Sequence, residues 1–247
     1  MKNIAMRLTY DGSKYHGWQY QKNGITIQQI LEEALSEITG EEIKVTGCSR
    51  TDAGVHAMDY VMNFKSSTKI PADKLPYALN YKLNSDITAL EAWEADEDFN
   101  ARFSSKGKRY EYKIWNGKMR NPFFVGYSWY LPYTLDREKM KESATHFIGT
   151  HDFSAFMAAG GSQKTTVRTI RDCSVIEDSN HKELITISVE ADAFLYNMVR
   201  IITGTLSEVG MGKILPEEIP DIINSGDRRR SGITAPPEGL FLKKVFY

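Results

Sequence analysis

Residues 47–57 read Gly-Cys-Ser-Arg-Thr-Asp-Ala-Gly-Val-His-Ala and carry the densest chemical signal in the chain. One carboxylate, Asp52, follows the guanidinium of Arg50 in a stretch whose two glycines and small residues let the backbone bend tightly and let a large ligand come close. A carboxylate so placed can serve as a nucleophile that adds to a carbon centre and leaves again. The bland alternative is a Thr-Asp-Ala-Gly turn in which Asp52 caps its own backbone, and spacing alone does not separate the two. Cys48 and His56 belong to no Cys-His-Asn or Ser-His-Asp set and read as structural. His16, His146, His151 and His181 are scattered without ligand spacing, so no metal is assigned.

A second charged group stands out by its surroundings. Arg200 sits among Met198, Val199, Ile201 and Ile202, where an unpaired guanidinium would be costly to bury. It either pairs with an anion or snorkels to a solvated helix edge beside Asn197 and Gly204.

The elements around these groups follow from periodicity. Ile4, Met6, Leu8 and Tyr10 alternate as in a half-buried strand. Residues 27–38 have helical spacing, with Thr26 as N-cap and Gly40 as stop. Strands are expected at 44–47 and 60–64, a helix from Pro71 towards Leu83 and a strand at 87–95. A similar order returns: a strand at 109–115, a helix at 135–147 and strands at 165–176 and 184–191. A mostly apolar helix capped by Asp192 over 194–209 and a last strand at 240–246 complete the chain. This order, without strict strand-helix-strand alternation, predicts an α+β fold of two related halves, 1–103 and 104–247.

Composition bounds the class. The chain has 247 residues, 41% hydrophobic and 26% charged, as expected of a folded globular protein. No apolar run approaches the ~20 residues of a membrane span, and the N-terminus has no signal-peptide core, so a cytoplasmic protein is expected. Two cysteines without a Cys-x-x-Cys pair suggest reduced thiols. The net charge of −1 hides a marked layout: residues 86–98 hold six acids and no base, residues 101–120 seven bases and one acid. More bases gather at Lys164, Arg168 and Arg171 and at Arg228-Arg229-Arg230, which leaves room for a basic groove on a neutral protein.

The eleven-residue loop resembles the signature loop of the tRNA pseudouridine synthase A family. The resemblance extends in order to Tyr10-Asp11-Gly12, His16-Gly17-Trp18-Gln19, Gln28-Gln29-Ile30-Leu31, Arg109-Tyr110-Glu111-Tyr112, Phe194-Leu195-Tyr196-Asn197-Met198-Val199-Arg200 and Ala235-Pro236-Pro237-Glu238-Gly239-Leu240. Met58-Asp59-Tyr60 departs from it, since relatives more often carry a glutamine next to a small residue there. The resemblance implies a pseudouridine synthase fold, two halves sharing a mainly antiparallel sheet with a central cleft. It also implies a cofactor-free homodimer that binds tRNA and isomerises uridines at positions 38, 39 and 40 of the anticodon stem-loop. Asp52 is then the nucleophile, and a fixed cation, Arg200 foremost, holds it ionised. Tyr110 is to stack on the target base and assist its deprotonation. Arg50 is to hold the flipped nucleotide or fill its gap. Arg102, Lys106, Lys108, Arg109, Lys164, Arg168 and Arg171 become candidate phosphate contacts.

Two rival readings stand beside this one. A glycoside or nucleoside hydrolase usually wants a second carboxyl group or a metal, which the Asp52 loop does not offer. A catalytically inert RNA-binding module would need the bases without Asp52.

Overall fold

The computed structural model describes residues 1–161 and 164–247, and these form an α+β protein with mainly antiparallel strand pairing, as the element order predicts. The chain divides into two compact units, Met1–Lys106 with Phe241–Tyr247, and Gly107–Leu240. The C-terminal strand therefore belongs with the first unit.

The first unit contains β1 (Lys2–Tyr10), α1 (Ile27–Thr39), β2 (Thr46–Gly47), β3 (His56–Ser66), α2 (Leu75–Lys82), β4 (Ile87–Ala95) and β10 (Leu240–Phe246). Strand β1 lies between β3 and β4, antiparallel to both, and β10 adds to β3 in parallel through Phe241 opposite His56 and Leu242 opposite Ala57. The alternation along β1 places Ile4, Met6, Leu8 and Tyr10 in the core, while Arg7 and Thr9 are half-buried. Side chains of this size each contribute roughly 1.5–3 kcal/mol when fully buried. Helix α1 begins where Thr26 accepts from Gln29 N at 3.3 Å and ends at the left-handed Gly40, and it buries Ile27, Leu31, Ala34 and Leu35. The strand after the Asp52 loop starts at His56 instead of residue 60, because its pairing with β1 runs on to Ala57.

The second unit contains β5 (Gly107–Trp115), β6 (Trp129–Tyr130), α3 (Arg137–Thr145), β7 (Gly149–Asp152), β8 (Val167–Glu177), β9 (Leu184–Ala191), α4 (Met198–Gly210) and α5 (Ile219–Ser225). Strands β5, β9, β8 and β7 pair antiparallel in that order, and β6 adds to β5 in parallel. The apolar helix begins at Met198, four residues later than its pattern suggests. Asp192 does not cap it: that carboxylate accepts from Thr169 N at 3.1 Å and Ala193 N at 2.7 Å. The turn into α4 is made by Asn197, a non-glycine residue at φ 61°.

Candidate active site

Asp52 sits half-buried at the first position of a turn closed by Val55 N donating to Asp52 O at 3.2 Å, with Gly54 left-handed at φ 78°. The turn expected from Thr-Asp-Ala-Gly is thus present, and backbone atoms close it.

What surrounds the turn is a frame built from residues far away in sequence. Trp18 N donates to Thr51 O at 3.1 Å, Gly54 N to Tyr15 O at 3.3 Å, and the Tyr10 and Thr51 hydroxyls lie 2.8 Å apart. Two glycines allow this approach. A Cβ on Gly17 (φ 83°) would stand 2.5 Å from Thr51 O, and one on Gly12 would stand 2.0 Å from Val55 O. Below the loop, the buried Tyr60 of β3 stacks on Trp18 at 4.2 Å, and its hydroxyl donates to Ser49 O. His56 is 2% exposed; its Nδ1 lies 3.2 Å from Gly12 N and 3.1 Å from Asp11 Oδ1, and its ring stacks on Phe241 at 4.6 Å. The Tyr10-Asp11-Gly12 and His16-Gly17-Trp18 segments therefore hold the loop in place. Asp59, in the departing Met58-Asp59-Tyr60 stretch, pairs with Arg7 and accepts from Val245 N at 3.2 Å, a role in the strands.

Arg50, Arg102 and Lys106 of the same unit are exposed. The Arg102 guanidinium lies over the Phe103 ring at 5.3 Å, beside two Asn100 side-chain bonds that fix the turn at 100–103.

In the second unit Tyr110 lies on the face of β5 that also carries Tyr112 and Ile114. It is 6% exposed, with its ring edge-on to Phe194 at 5.1 Å. On the other face Arg109 donates through Nε and Nη2 to Glu190 Oε2 at 3.1 and 2.6 Å. Arg171 sits at a bulge in β8 between Ile170 and Asp172, which turns it out to solvent 3.9 Å from Glu190. Lys164 is exposed and Lys108 half-buried. Arg168 differs from these: it is 9% exposed, and its Nη1 donates to Thr165 O at 2.9 Å and Val167 O at 2.5 Å. Its guanidinium braces the approach to β8.

Arg200 lies half-buried in the first turn of α4. Its Nε donates to Ala235 O and its Nη1 to Asn197 Oδ1, each at 2.7 Å. Two nitrogens on two fixed acceptors set the plane of the fork, which a freely snorkelling side chain would not have. Asn197 and Ala235 belong to segments already singled out, but their bonds to Arg200 have no sequence signal beyond that.

Neither cysteine suits thiol chemistry. Both are buried, and burial, with Asp172 adjacent, pushes the Cys173 thiol far above its ordinary value. A raised pKa keeps the thiol protonated throughout the working range. Native protein treated with iodoacetamide at pH 8 should therefore keep its turnover and show Cys173 unlabelled by mass until it is denatured.

No helix among the described residues is long and apolar enough to cross a membrane, and none of their His, Cys, Asp and Glu side chains gather in groups of three that could hold a metal ion.

The family described as tRNA pseudouridine synthase matches over residues 6–104 and 143–247. Relatives named tRNA pseudouridine synthase A from Thermoanaerobacter sp. (strain X514) and Acetivibrio thermocellus are 51% and 48% identical over all of both chains. A protein of Clostridium perfringens named tRNA pseudouridine synthase A 2 is 49% identical over the same span. The family's match takes in the Asp52 loop, its frame and the Arg200 helix, the full-length relatives align over the Tyr110 strand as well, and the chain belongs to the tRNA pseudouridine synthase family, isomerases that act on uridine in tRNA.

Proposed function

We propose that this isomerase acts on uridines 38, 39 and 40 of the anticodon stem-loop, with Asp52 as nucleophile. The observation that carries the reading is the Asp52 turn, held by the close approach of Gly12 and Gly17, by Trp18 N on Thr51 O and by Tyr60 on Ser49 O. Such a mounting suits a group that must keep its position while covalent bonds change. The reaction breaks the C1′–N1 bond and makes a C1′–C5 bond; the hydrogen at C5 leaves as a proton and N1 gains one, so the product is an isomer of the substrate. Asp52 adds to the ribose or to C6 and departs once the base has turned, so the residue is regenerated without a redox partner.

Arg200 is the cation that keeps Asp52 ionised, and its doubly anchored fork supports that role. Tyr110 offers a ring on which the uracil stacks and a hydroxyl that assists deprotonation at C5; its fixed strand position supports the first of these. Arg50 occupies the gap left by the flipped nucleotide, for which its exposure suits it. Arg102, Lys106, Lys108, Lys164 and Arg171 contact phosphates, joined by Arg109 where its bond to Glu190 yields, while Arg168 contributes by bracing the β8 approach. Phosphate binding of this kind makes tRNA affinity fall steeply with salt, each contact adding roughly 0.7–0.9 to the log–log slope. Filter binding between low and moderate salt should show this, and Lys164→Ala should lower the slope by at most about one unit.

We also propose a cytoplasmic homodimer, each chain made of two related halves that divide near residues 103–104. Met119, Phe123 and Val125 are 80%, 88% and 61% exposed, an apolar cluster of the kind that marks a subunit contact. Light scattering at the mass of one chain would exclude it.

The decisive assay is incubation with unmodified tRNA labelled with tritium at C5 of uridine. Release of tritium without free uracil, mapped to positions 38–40, is the expected result. Free uracil would indicate hydrolysis, and binding with neither would indicate an inert module.

A further inference from the structure

Arg200 is gripped by a strap that is neither helix nor strand. Residues 231–235 run along α4 so closely that side chains are excluded between them: a Cβ on Gly204 would lie 1.8 Å from Ile233 O, and one on Gly232 would lie 2.6 Å from Thr205 N. Gly232 N donates to Thr205 Oγ1 at 2.9 Å, and that hydroxyl donates to Ile201 O at 2.8 Å. At the end of the strap, Ala235 N donates to Arg200 O at 3.1 Å while Ala235 O accepts from Arg200 Nε at 2.7 Å. One residue of the strap thus holds both the backbone and the side chain of Arg200.

The strap is held in turn by Arg228. Its Nη1 donates to Ser231 Oγ and Gly232 O, both at 2.9 Å, and its Nη2 to Thr234 Oγ1 at 3.0 Å. Ser231 Oγ donates onward to Ala155 O at 2.7 Å. The neighbours in the Arg228-Arg229-Arg230 run behave differently. Arg229 is exposed and pairs with Asp227 at 2.7 Å, and Arg230 is exposed with a 3.4 Å approach to Asp221 O. Arg228 alone of the three turns into the strap, and its acceptors there are neutral hydroxyl and carbonyl oxygens. Desolvating a guanidinium for neutral acceptors is costly, and the planar fork is what lets one side chain reach strap residues 231, 232 and 234 together.

We propose that Arg228 is a positioning residue for the reaction: it fixes the shape of residues 231–234, through them Ala235, and through Ala235 the plane of the Arg200 guanidinium. This rests on the reading of Arg200 as the cation for Asp52. Arg228 touches no reacting atom, so its loss acts on the saturated rate and leaves tRNA affinity alone.

The test uses Arg228→Met, Arg228→Lys and Thr234→Val, each alone and combined with Arg200→Lys. Single-turnover rates at saturating tRNA and tRNA dissociation constants are measured at a temperature where every variant is fully folded by circular dichroism. In the otherwise native chain Arg228→Met should slow the step about 10- to 100-fold, as loss of fixed geometry does, with affinity nearly constant. Arg228→Lys should restore part of that rate. Thr234→Val, which keeps the side-chain shape and removes one acceptor, should slow it roughly 3- to 10-fold by the same effect. In the Arg200→Lys background the Nε bond to Ala235 no longer exists, and neither change should add more than about twofold, since residues acting through one link are not additive. Native rates in Arg228→Met, or equal fold-losses in both backgrounds, would overturn the proposal. If Arg228→Met does not fold, Thr234→Val decides by the same two criteria. If Arg200→Lys alone keeps the native rate, the reading of Arg200 fails by itself, and that result is separate from a failure at Arg228.

Discussion

Asp52→Asn is expected to abolish turnover while tRNA affinity and melting temperature stay close to those of the native chain. The substitution removes the one nucleophilic oxygen anion of the loop and keeps the size and polarity of the side chain. Bonds between backbone atoms, from Trp18 N to Thr51 O, Gly54 N to Tyr15 O and Val55 N to Asp52 O, help seat the turn beside the Tyr10–Thr51 hydroxyl contact, and the substitution leaves each of these in place. An amide cannot add to the ribose or to C6 and be released again, so no slower version of the same route remains. Tritium release measured over hours with excess tRNA reads the result. A rate above a few per cent of native would remove Asp52 from the nucleophile's role.

Arg200→Lys should lower turnover by about 10²-fold or more, the scale set by displacing a reacting group through roughly an ångström. Lysine retains the charge but loses the planar fork, and with it the simultaneous bonds to Ala235 O and Asn197 Oδ1. An ammonium on a flexible stem fixes neither its own place nor that of a carboxylate partner. Arg200→Met should be worse for catalysis even though an apolar side chain of similar length packs acceptably in the first turn of α4. The pH profile then separates loss of position from loss of charge. On the proposed pairing, removing the cation should raise the Asp52 pKa, so the acid limb of turnover should move to higher pH in Arg200→Met. In Arg200→Lys the limb should stay closer to its native place because the charge remains. Native turnover in both variants with an unmoved limb would transfer the role to Arg50.

The parts of this molecule that sequence conveyed were those governed by local rules. Helix α1 could be placed from Thr26, Gly40 and the spacing of Ile27, Leu31, Ala34 and Leu35, and these same residues cap it and line its buried face. The Asp52 loop could be picked out by its residue types. Its frame could not, because Gly17, Trp18 and Tyr60 meet it through contacts between segments that are distant in the chain. The start of α4 differs from its sequence pattern for a related reason. Residues 194–197 are apolar enough to continue a helical pattern, yet Asp192 is engaged by Thr169 N of the neighbouring strand, and the backbone turns into the helix only at Asn197. Charge was the least legible property. Arg168 and Arg228 look like surface bases in basic runs, and each instead spends its guanidinium on the backbone or hydroxyls of its own loop. Helix α5 leaves no periodic signal, because seven residues opening on Ile219-Pro220 offer too few turns for a period to show.

The position of β10 in the first unit bears on how the protein is made. A ribosome that has delivered residues 1–106 has supplied every strand of that unit except the one that pairs beside His56 and Ala57 and sets Phe241 against the His56 ring. Until residues 107–240 have followed, the flank of β3 nearest the Asp52 turn is an open strand edge, able to pair with other chains. Domains usually fold as units during synthesis, N-terminal first. Here the interrupted order means that the amino-terminal unit, Asp52 loop included, is translated early and completed only when residues 241–247 emerge, and until then its open edge needs protection from aggregation.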